Sequence, residues 1–419
     1  MTAKHIKTEF IGGLTTFFTM AYIIIVNPSI LSTPGTGMSF SGVLTATVLL
    51  SFLMTLLMGL YGKLPFAVAP GMGINAFFTF SLILGQQIPW PTALGMVFWA
   101  GVFFLLISAT PLRESIAKAI PVQLRAASAT GIGLFLTFIG LKNAGLVAAD
   151  PATFVKFGGL GYGALSAIAG LLIMIFLMRR KNPLAILAGI FAVTATALAL
   201  GKIPAPEVLL SSPDFSTVFA LDITGALKLS LLPAILSIMF TDLFDSISTF
   251  VGVSQASGMK DEHGEPLRLK QGLIVDSIAT FGAGLLGTSS GTAYIESAAG
   301  IEAGGRTGLA SVFTAICFLP CLFLAPLVGL VPAYATAPAL ILVGCLMFKT
   351  VGELKFEKLE EIFPAFITIV LIPLTFSITQ GLLWGFLAHT ALFVLAGRAR
   401  EISKMLYVIS GICLLMLWL

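Results

Sequence analysis

Four acidic side chains lie inside strongly apolar segments of this 419-residue chain: Asp242, Asp245, Asp276 and Glu296. A charge at the bilayer centre costs roughly 2.5–3.5 kcal/mol on insertion scales, so acids retained there predict a functional site. Asp242 and Asp245 are three residues apart and share one helix face. No basic residue lies at comparable depth, and paired acids in a dry setting repel each other. We therefore expect at least one to be protonated near neutral pH, which is typical of a proton-coupled carrier.

Polar and aromatic residues accompany these acids. Asn75 follows a predicted interruption of a membrane helix at Gly73, and Glu296 follows a second such interruption at Gly291. Carboxylate acceptors, an amide and aromatic faces suit a flat heterocycle with N–H and C=O edges better than a sugar or a bare cation. The candidate substrate-binding residues are Asn75, Asp242, Glu296, Phe77, Phe244 and Thr292. The candidates for proton coupling are Asp242, Asp245 and Glu296, whereas for Asp276 we favour a hydrogen-bonded structural acid near the inner surface.

The composition indicates a polytopic membrane protein. Hydrophobic residues make up 57% of the chain and charged residues 10%, and the mean hydropathy is +1.03. Because one membrane helix needs about 20 residues, the apolar runs predict an all-α protein of fourteen segments. These segments are at about 11–31, 41–60, 65–86, 90–111, 121–141, 158–178, 183–201, 226–253, 272–287, 289–305, 307–331, 335–352, 361–378 and 380–397. A last apolar piece, 405–419, is too short to span easily and is expected at the interface or against the bundle.

The basic residues predict the orientation in a cell membrane. Fourteen segments with a cytoplasmic N-terminus place both termini inside, together with 19 of the 23 Lys and Arg. The four outside are Lys142, Lys156, Lys202 and Lys228. The positive-inside rule favours this arrangement. The basic residues are scattered, which argues against a nucleic-acid partner.

Short motifs in the first half of the chain resemble motifs in the second half at similar offsets, which predicts a 7+7 inverted repeat. Residues 18–19 resemble 240–241, and the Pro/Gly break at 70–73 resembles 289–292, at an offset of about 220 residues. Pro121 and the small residues after it resemble Pro332 and its followers, at an offset of 211. Proline and glycine make segments 3 and 10 poor continuous helices. Two half-helix N-termini facing each other near the midplane would bind a polar or partly anionic solute. The alternative is two kinked helices without a ligand.

Several motifs closely resemble the purine permeases of the adenine/guanine/hypoxanthine type, a branch of the nucleobase–ascorbate/nucleobase–cation symporters. The motifs are FTDLFDS at 240–246, GTSSGTAYIESAAG at 287–300, GGRTG at 304–308 and APGMGINA at 69–76. The resemblance covers about residues 8–397. Segment 8 carries Asp242 where the uracil and xanthine branches carry Glu, which favours the purine branch and leaves adenine and guanine/hypoxanthine both open.

The resemblance implies a fold, an activity and site residues. Segments 1–4 and 8–11 would form a core domain (residues 1–111 and 226–331), and segments 5–7 and 12–14 a gate domain (112–225 and 332–419). Short strands would interrupt segments 3 and 10 and pair beside the substrate. It implies purine uptake by proton symport with alternating access, and related folds form dimers, which allows for a homodimer. Asn75, Asp242 and Glu296 are similar to the family's substrate-binding positions, and Asp245 matches a second family acid.

Other classes of function remain as alternatives. A uracil/xanthine-type carrier or an anion carrier on the same fold is the second hypothesis, and the anion carrier predicts a basic residue at the midplane. A membrane enzyme would need a nucleophile–base or metal set, but the chain has no H-E-x-x-H motif and no intramembrane His cluster. We therefore expect neither catalysis nor a metal or cofactor. A channel is a weaker option, which saturable pH-driven uptake would distinguish from a carrier.

Overall fold

The computed structural model describes residues 3–110, 120–259, 266–354 and 357–416. These residues are mostly helical, because backbone groups at membrane depth must find their hydrogen-bond partners within the protein. The helices of the first half are α1 (Ala3–Met20), α2 (Ile23–Leu31), α3 (Phe40–Leu57), α4 (Met72–Ala76), α5 (Trp90–Ala109), α6 (Val122–Asn143), α7 (Tyr162–Arg179) and α8 (Ala185–Ala199).

The second half also contains both long and short helices. They are α9 (Leu232–Ser257), α10 (Leu269–Leu286), α11 (Ser297–Glu302), α12 (Gly308–Phe318), α13 (Ala325–Gly329), α14 (Ala333–Phe348), α15 (Leu359–Thr375), α16 (Ile378–Leu395) and α17 (Lys404–Met416). The strands are β1 (Val68–Pro70), β2 (Val147–Asp150), β3 (Phe154–Phe157) and β4 (Gly291–Ala293). Two π-helical stretches, Met58–Gly62 and Phe77–Gly85, continue α3 and α4.

Eight stretches of the described residues are long and apolar enough to cross a membrane. They are Lys4–Leu31, Phe40–Gly62, Trp90–Ala109, Val122–Asn143, Tyr162–Arg179, Leu229–Ser254, Ala333–Glu353 and Ile378–Leu395. The predicted all-helical membrane class agrees with this finding. The count of fourteen segments goes beyond these eight stretches and stays a prediction, as does the division into core and gate domains. The first domain boundary, at 111–112, lies outside the described residues.

Segments 3 and 10 are interrupted by β1 and β4, as the resemblance implies. The two strands pair antiparallel, with Pro70 opposite Gly291. Pro70 has no backbone N–H to donate to a helix, and the next residue, Gly71, donates its N–H to the carbonyl of Ser290 at 2.9 Å. Backbone groups at the break in one half of the chain are therefore partly hydrogen-bonded by backbone groups at the break in the other half.

Helices from the two halves also pack directly, and glycine brings their backbones close. α6 packs against α14, and the two backbones come close at Gly133 and Gly344. A Cβ built on Gly133 would lie 2.6 Å from the Gly344 carbonyl oxygen, and one on Gly344 would lie 2.4 Å from that of Gly133. These two glycines are 211 residues apart, the offset that relates Pro121 to Pro332.

The C-terminal apolar piece lies against the bundle, one of the two placements predicted for it. Helix α17 packs on α16, where Ser410 and Thr390 share a hydrogen bond of 2.6 Å. Residues 417–419, the end of this predicted apolar piece, lie outside the described residues. An apolar cavity of about 380 Å³ lies between α5, α9, α16 and α17.

Candidate functional site

The candidate site is built around the small sheet formed by β1 and β4. A two-stranded sheet has two outer edges, and buried edge groups need partners. On the β1 edge, the Thr55 hydroxyl accepts from the Val68 N–H at 2.9 Å and lies 3.0 Å from the Val68 carbonyl oxygen. On the β4 edge, the Asp276 carboxylate accepts from the Ala293 N–H at 2.8 Å. Polar side chains of α3 and α10 thus hold the strands at membrane depth.

Asn75 lies in α4, directly after the first break, and its side chain is fully buried. Its Oδ1 accepts a hydrogen bond from the hydroxyl of Ser289, which precedes β4. Its Nδ2 has no hydrogen-bond partner among the described residues. A buried amide N–H without a partner costs free energy, about 1–3 kcal/mol, and is available to an acceptor on a solute.

Asp242 lies near the middle of α9, and its carboxylate is also fully buried. Its Oδ2 accepts from the Ser290 hydroxyl at 2.7 Å and from the Thr280 hydroxyl. Its Oδ1 has no partner among the described residues. Ser289 and Ser290 are neighbours in the chain, so Asn75 and Asp242 are anchored to one short loop.

Glu296 follows β4 and directly precedes α11, and it is only partly buried. The Tyr22 hydroxyl donates to Glu296 Oε1 at 2.6 Å. Tyr22 lies in the short interruption between α1 and α2, so the first segment is broken as well. Asp245 is also partly buried and lies within electrostatic range of Glu296. Asp245 and Glu296 are therefore the partly buried acids of the site, whereas Asp242 is enclosed.

Asp276 belongs to the same network, although we favoured a structural role near the inner surface. Its second oxygen accepts from the Ser246 hydroxyl, four residues after Asp242 on α9. Ser246 in turn lies 2.9 Å from the Thr292 hydroxyl on β4. Thr292, a candidate from the sequence, thus joins the strand to α9 and α10. The acid is hydrogen-bonded, as predicted, but to the interrupted segment itself.

The two candidate phenylalanines are both buried. Phe77 is 1% exposed and Phe244 is 5% exposed. Phe244 stacks on Phe240, one turn earlier on α9, with ring centroids 6.0 Å apart. A third aromatic residue, Tyr294, donates its hydroxyl to the Pro70 carbonyl oxygen at 2.5 Å. This last contact ties the residue after β4 to the end of β1.

Three further polar residues of the network were missed from the sequence. Tyr22 holds Glu296, and Thr280 holds Asp242. Asn27, fully buried in α2, donates to Thr288 at 2.9 Å, beside the loop that holds Asn75. Spacing offered one signal, since Thr280 follows Asp276 by four residues on α10, as Ser246 follows Asp242 on α9. Isolated hydroxyls are otherwise common in apolar helices and carry little information.

The electrostatics of the site are acidic. Among the described residues, no Lys, Arg or His shares a hydrogen bond or ion pair with Asp242, Asp245, Asp276 or Glu296. Hydroxyl and backbone N–H groups are the partners instead. The arrangement offers carboxylate and amide groups in an enclosed, partly apolar setting, which is suited to binding a polar solute with N–H groups.

Interrupted membrane segments that meet around buried polar groups are typical of membrane carriers. The chain belongs to the permease family Xan_ur_permease, whose model matches residues 7–383. It is 41% identical over 406 residues to the adenine permease AdeP of Escherichia coli strain K12, covering 96% of this chain and 91% of AdeP. It is 39% identical over 420 residues to the guanine/hypoxanthine permease PbuO of Bacillus subtilis strain 168, covering 97% and 95%. The predicted resemblance is confirmed.

The fold is shared with more distant transporters. The transmembrane domain of a cyanobacterial bicarbonate transporter, BicA, superimposes with a TM-score of 0.69 at 18% identity, covering 92% of this chain and 98% of that domain. The murine anion transporter Slc26a9 superimposes with a TM-score of 0.67 at 11% identity, covering 94% and 69%. At these identities the likeness concerns the fold alone.

Proposed function

We propose that this protein carries purine nucleobases across the cell membrane, together with protons, by alternating access. One observation carries the proposal: Asn75 and Asp242, from opposite halves of the chain, are buried on adjacent serines of one loop. The names of the relatives AdeP and PbuO support purines as the solute class. No catalytic step is involved.

Each site residue has a proposed role. Glu296, which is partly exposed, accepts hydrogen bonds from ring or exocyclic N–H groups of the purine. Asn75 donates its free amide N–H to an acceptor on the ring, and Asp242 binds the purine or a bridging water. Phe77 and Phe244, both buried, are proposed as flat apolar walls against the purine ring, and Thr292 holds the strand beside the solute.

Proton coupling is proposed for the acids of α9 and the second break. Asp242, Asp245 and Glu296 are carboxylates without a basic partner among the described residues, so one of them binds a proton in one access state and releases it in the other. Asp245 lies within electrostatic range of Glu296, which makes the charge of one sensitive to the charge of the other. Proton binding would then be linked to binding of the purine.

The architecture proposed is fourteen segments in two inverted halves, with both termini cytoplasmic. The core domain (residues 1–111 and 226–331) carries β1, β4 and the acids, and the gate domain (112–225 and 332–419) carries α6 and α14. Alternating access would move the core against the gate, and the family resemblance allows for a homodimer. The contact of α6 with α14 supports a coherent gate, because these helices come from opposite halves.

An anion carrier is the competing function on this fold, since BicA and Slc26a9 transport anions by their descriptions. A midplane anion site would need a basic group or unopposed backbone N–H groups. In the described residues the site holds carboxylates bound by hydroxyls, and the N–H groups of β4 are directed to Asp276 and β1. A nucleobase with N–H donors fits these groups better. A uracil or xanthine carrier shares this chemistry and is separated from a purine carrier only by the competition experiment.

The test is uptake of radiolabelled hypoxanthine into cells that lack their own purine carriers. Competition by adenine, guanine, xanthine, uracil and bicarbonate at two pH values measures specificity and coupling. We expect purines to compete, bicarbonate to have no effect, and uptake to rise at the lower external pH. Glu296→Gln should abolish uptake, whereas Glu302→Gln, an exposed acid at the end of α11, should retain it. Normal uptake by the Glu296→Gln variant would refute the proposed site.

A further inference from the structure

A two-stranded hairpin joins α6 to α7 outside the membrane segments. β2 and β3 pair antiparallel, with Val147 opposite Phe157 and Asp150 opposite Phe154. Side chains alternate between the two faces of a strand, and directly opposite residues share a face. The register therefore sorts the hairpin residues into two faces of different chemistry.

One face is entirely apolar, whereas the other, the polar face, carries both charged side chains beside two apolar ones. The apolar face consists of Val147, Ala149, Val155 and Phe157. The polar face consists of Ala148, Asp150, Phe154 and Lys156. The groups of the polar face find partners within the hairpin, since Asp150 lies 3.2 Å from Lys156 and accepts from the N–H groups of Ala152 and Thr153 in the turn.

Most of the apolar face is uncovered within the described part of the chain. Val155 is 45% exposed and Phe157 is 67% exposed. An isolated two-stranded hairpin is marginally stable in water and needs packing on one face. The apolar face therefore needs to be covered by a surface that is neither water nor a described segment of this protein.

The hairpin lies between two helices that are long and apolar enough to cross a membrane. β2 begins four residues after α6 ends, and α7 begins five residues after β3 ends. At about 3.3–3.6 Å per residue, these links keep the hairpin within roughly 18 Å of both helix ends. Both helices are apolar enough to cross the membrane, and only 22% of α7 is buried in the protein. The hairpin thus leads into a membrane-length helix whose sides are largely exposed on the protein.

Interfacial side chains lie at the same level. The ring of Tyr162, the first residue of α7, packs edge-on against Tyr334 at the start of α14, with centroids 5.7 Å apart. The Lys202 ammonium lies 5.6 Å from the centre of the Tyr162 ring. Tyrosine and lysine are enriched where a membrane meets water. A group of this composition is typical of a membrane–water boundary.

We infer that the apolar face of the β2–β3 hairpin lies on the lipid bilayer and anchors this side of the protein in the headgroup region. Apolar and aromatic side chains on one face, with an ion pair on the other, are suited to an interface that is apolar below and wet above. A second copy of the chain is the competing occupant. Four side chains offer far less than the roughly 800 Å² per partner that a stable protein interface buries.

The test measures lipid exposure at three consecutive positions of β3 in the full-length protein. Val155→Cys, Lys156→Cys and Phe157→Cys are prepared in a variant whose four native cysteines are replaced by alanine, and each is spin-labelled in liposomes. Collisions with oxygen, which partitions into lipid, are compared with collisions with a water-soluble nickel chelate. We expect the labels at 155 and 157 to favour oxygen severalfold and the label at 156, the matched control, to favour nickel.

Two outcomes would overturn the inference. If all three labels favour nickel, the hairpin lies in water. If the labels at 155 and 157 are shielded from both reagents and couple magnetically between molecules, a second copy covers the face. Should the cysteine-free protein not fold, Phe157→Trp and Lys156→Trp in the natural chain give the same comparison. Brominated lipids should quench the added fluorescence of the first variant and not of the second, and equal quenching would contradict lipid contact. None of these readouts depends on the transported solute.

Discussion

The hydroxyl of Tyr22 donates a hydrogen bond of 2.6 Å to Oε1 of Glu296, joining residues 274 positions apart. The contact links the interruption of the first segment to the end of β4. It also uses one of the lone pairs of the carboxylate that we propose as a purine acceptor. Tyr22 therefore sets the orientation of Glu296, and removal of the Tyr22 hydroxyl should weaken binding of the solute.

The first prediction follows from this contact. Tyr22→Phe keeps the ring and removes the donor, so Glu296 loses a hydrogen bond to a charged group, which is worth about 1.5–3 kcal/mol. Uptake of hypoxanthine, measured as the ratio of maximal rate to KM, should fall about 10- to 100-fold. Tyr334→Phe, at the start of α14 and away from the network, is the control and should transport normally. Unchanged uptake by Tyr22→Phe would show that the Glu296 orientation does not depend on this bond.

Asp276 supports a prediction about stability. Asp276→Ala leaves the buried N–H of Ala293 without an acceptor, which costs about 1–3 kcal/mol, so the melting temperature in detergent should fall. Asp276→Asn keeps an oxygen for Ala293, and its amide can donate to the Ser246 hydroxyl. The Asn variant should therefore melt closer to the wild type. Equal melting of the Ala variant and the wild type would mean that Asp276 does not hold β4.

The local breaks were predictable from the sequence, and the long-range partners were not. Pro70 and Gly291 signal an interruption by their own backbone chemistry, and Asp242 and Glu296 are conspicuous because acids are costly in lipid. Tyr22 gave no such signal. Its partner is distant in the chain, and an aromatic residue in an apolar segment is ordinary.

The hairpin and the network on α10 illustrate the same limit. β2 and β3 are four residues each, too short for periodicity to distinguish them from a loop, and the sixth segment was predicted to begin at 158 although α7 begins at Tyr162. For Asp276, the sequence indicated a hydrogen-bonded acid. Its partners became evident only when α9, α10 and β4 met.

Asp214 predicts a pH dependence of stability. It lies between α8 and α9 and accepts from the hydroxyls of Ser39 and Ser41 at 2.8 and 2.7 Å, at the start of α3. Partial burial alone would raise its pKa, but hydrogen bonds from Ser41, the Ser216 backbone and Ser39 together lower it from 3.8 to about 2. Since the folded pKa lies below the ordinary value, its stabilisation is present above about pH 4 and is lost as the pH falls towards 2.

The measurement is the difference in melting temperature between the wild type and Asp214→Asn. We expect the variant to melt lower at pH 7 and the difference to shrink between pH 4 and pH 2.5. Glu207→Gln, an exposed acid on the same segment, controls for the change of charge and should match the wild type throughout. A difference that stays constant across this range would contradict the role of the Asp214 charge.

The contact of Gly133 with Gly344 gives the last prediction. Gly133→Ala would place a methyl group 2.6 Å from the Gly344 carbonyl oxygen, and this closest atom belongs to the backbone, which cannot move without separating α6 from α14. Overpacking of this kind costs about 1–3 kcal/mol, so the melting temperature should fall and uptake should fall with it. Gly252→Ala is the matched control, because it lies in α9 with nothing within 4 Å of the added carbon, and alanine is the better helix former. If Gly133→Ala were as stable as Gly252→Ala, α6 and α14 would not be held at this distance in the membrane, and the coherent gate proposed above would lose its main support.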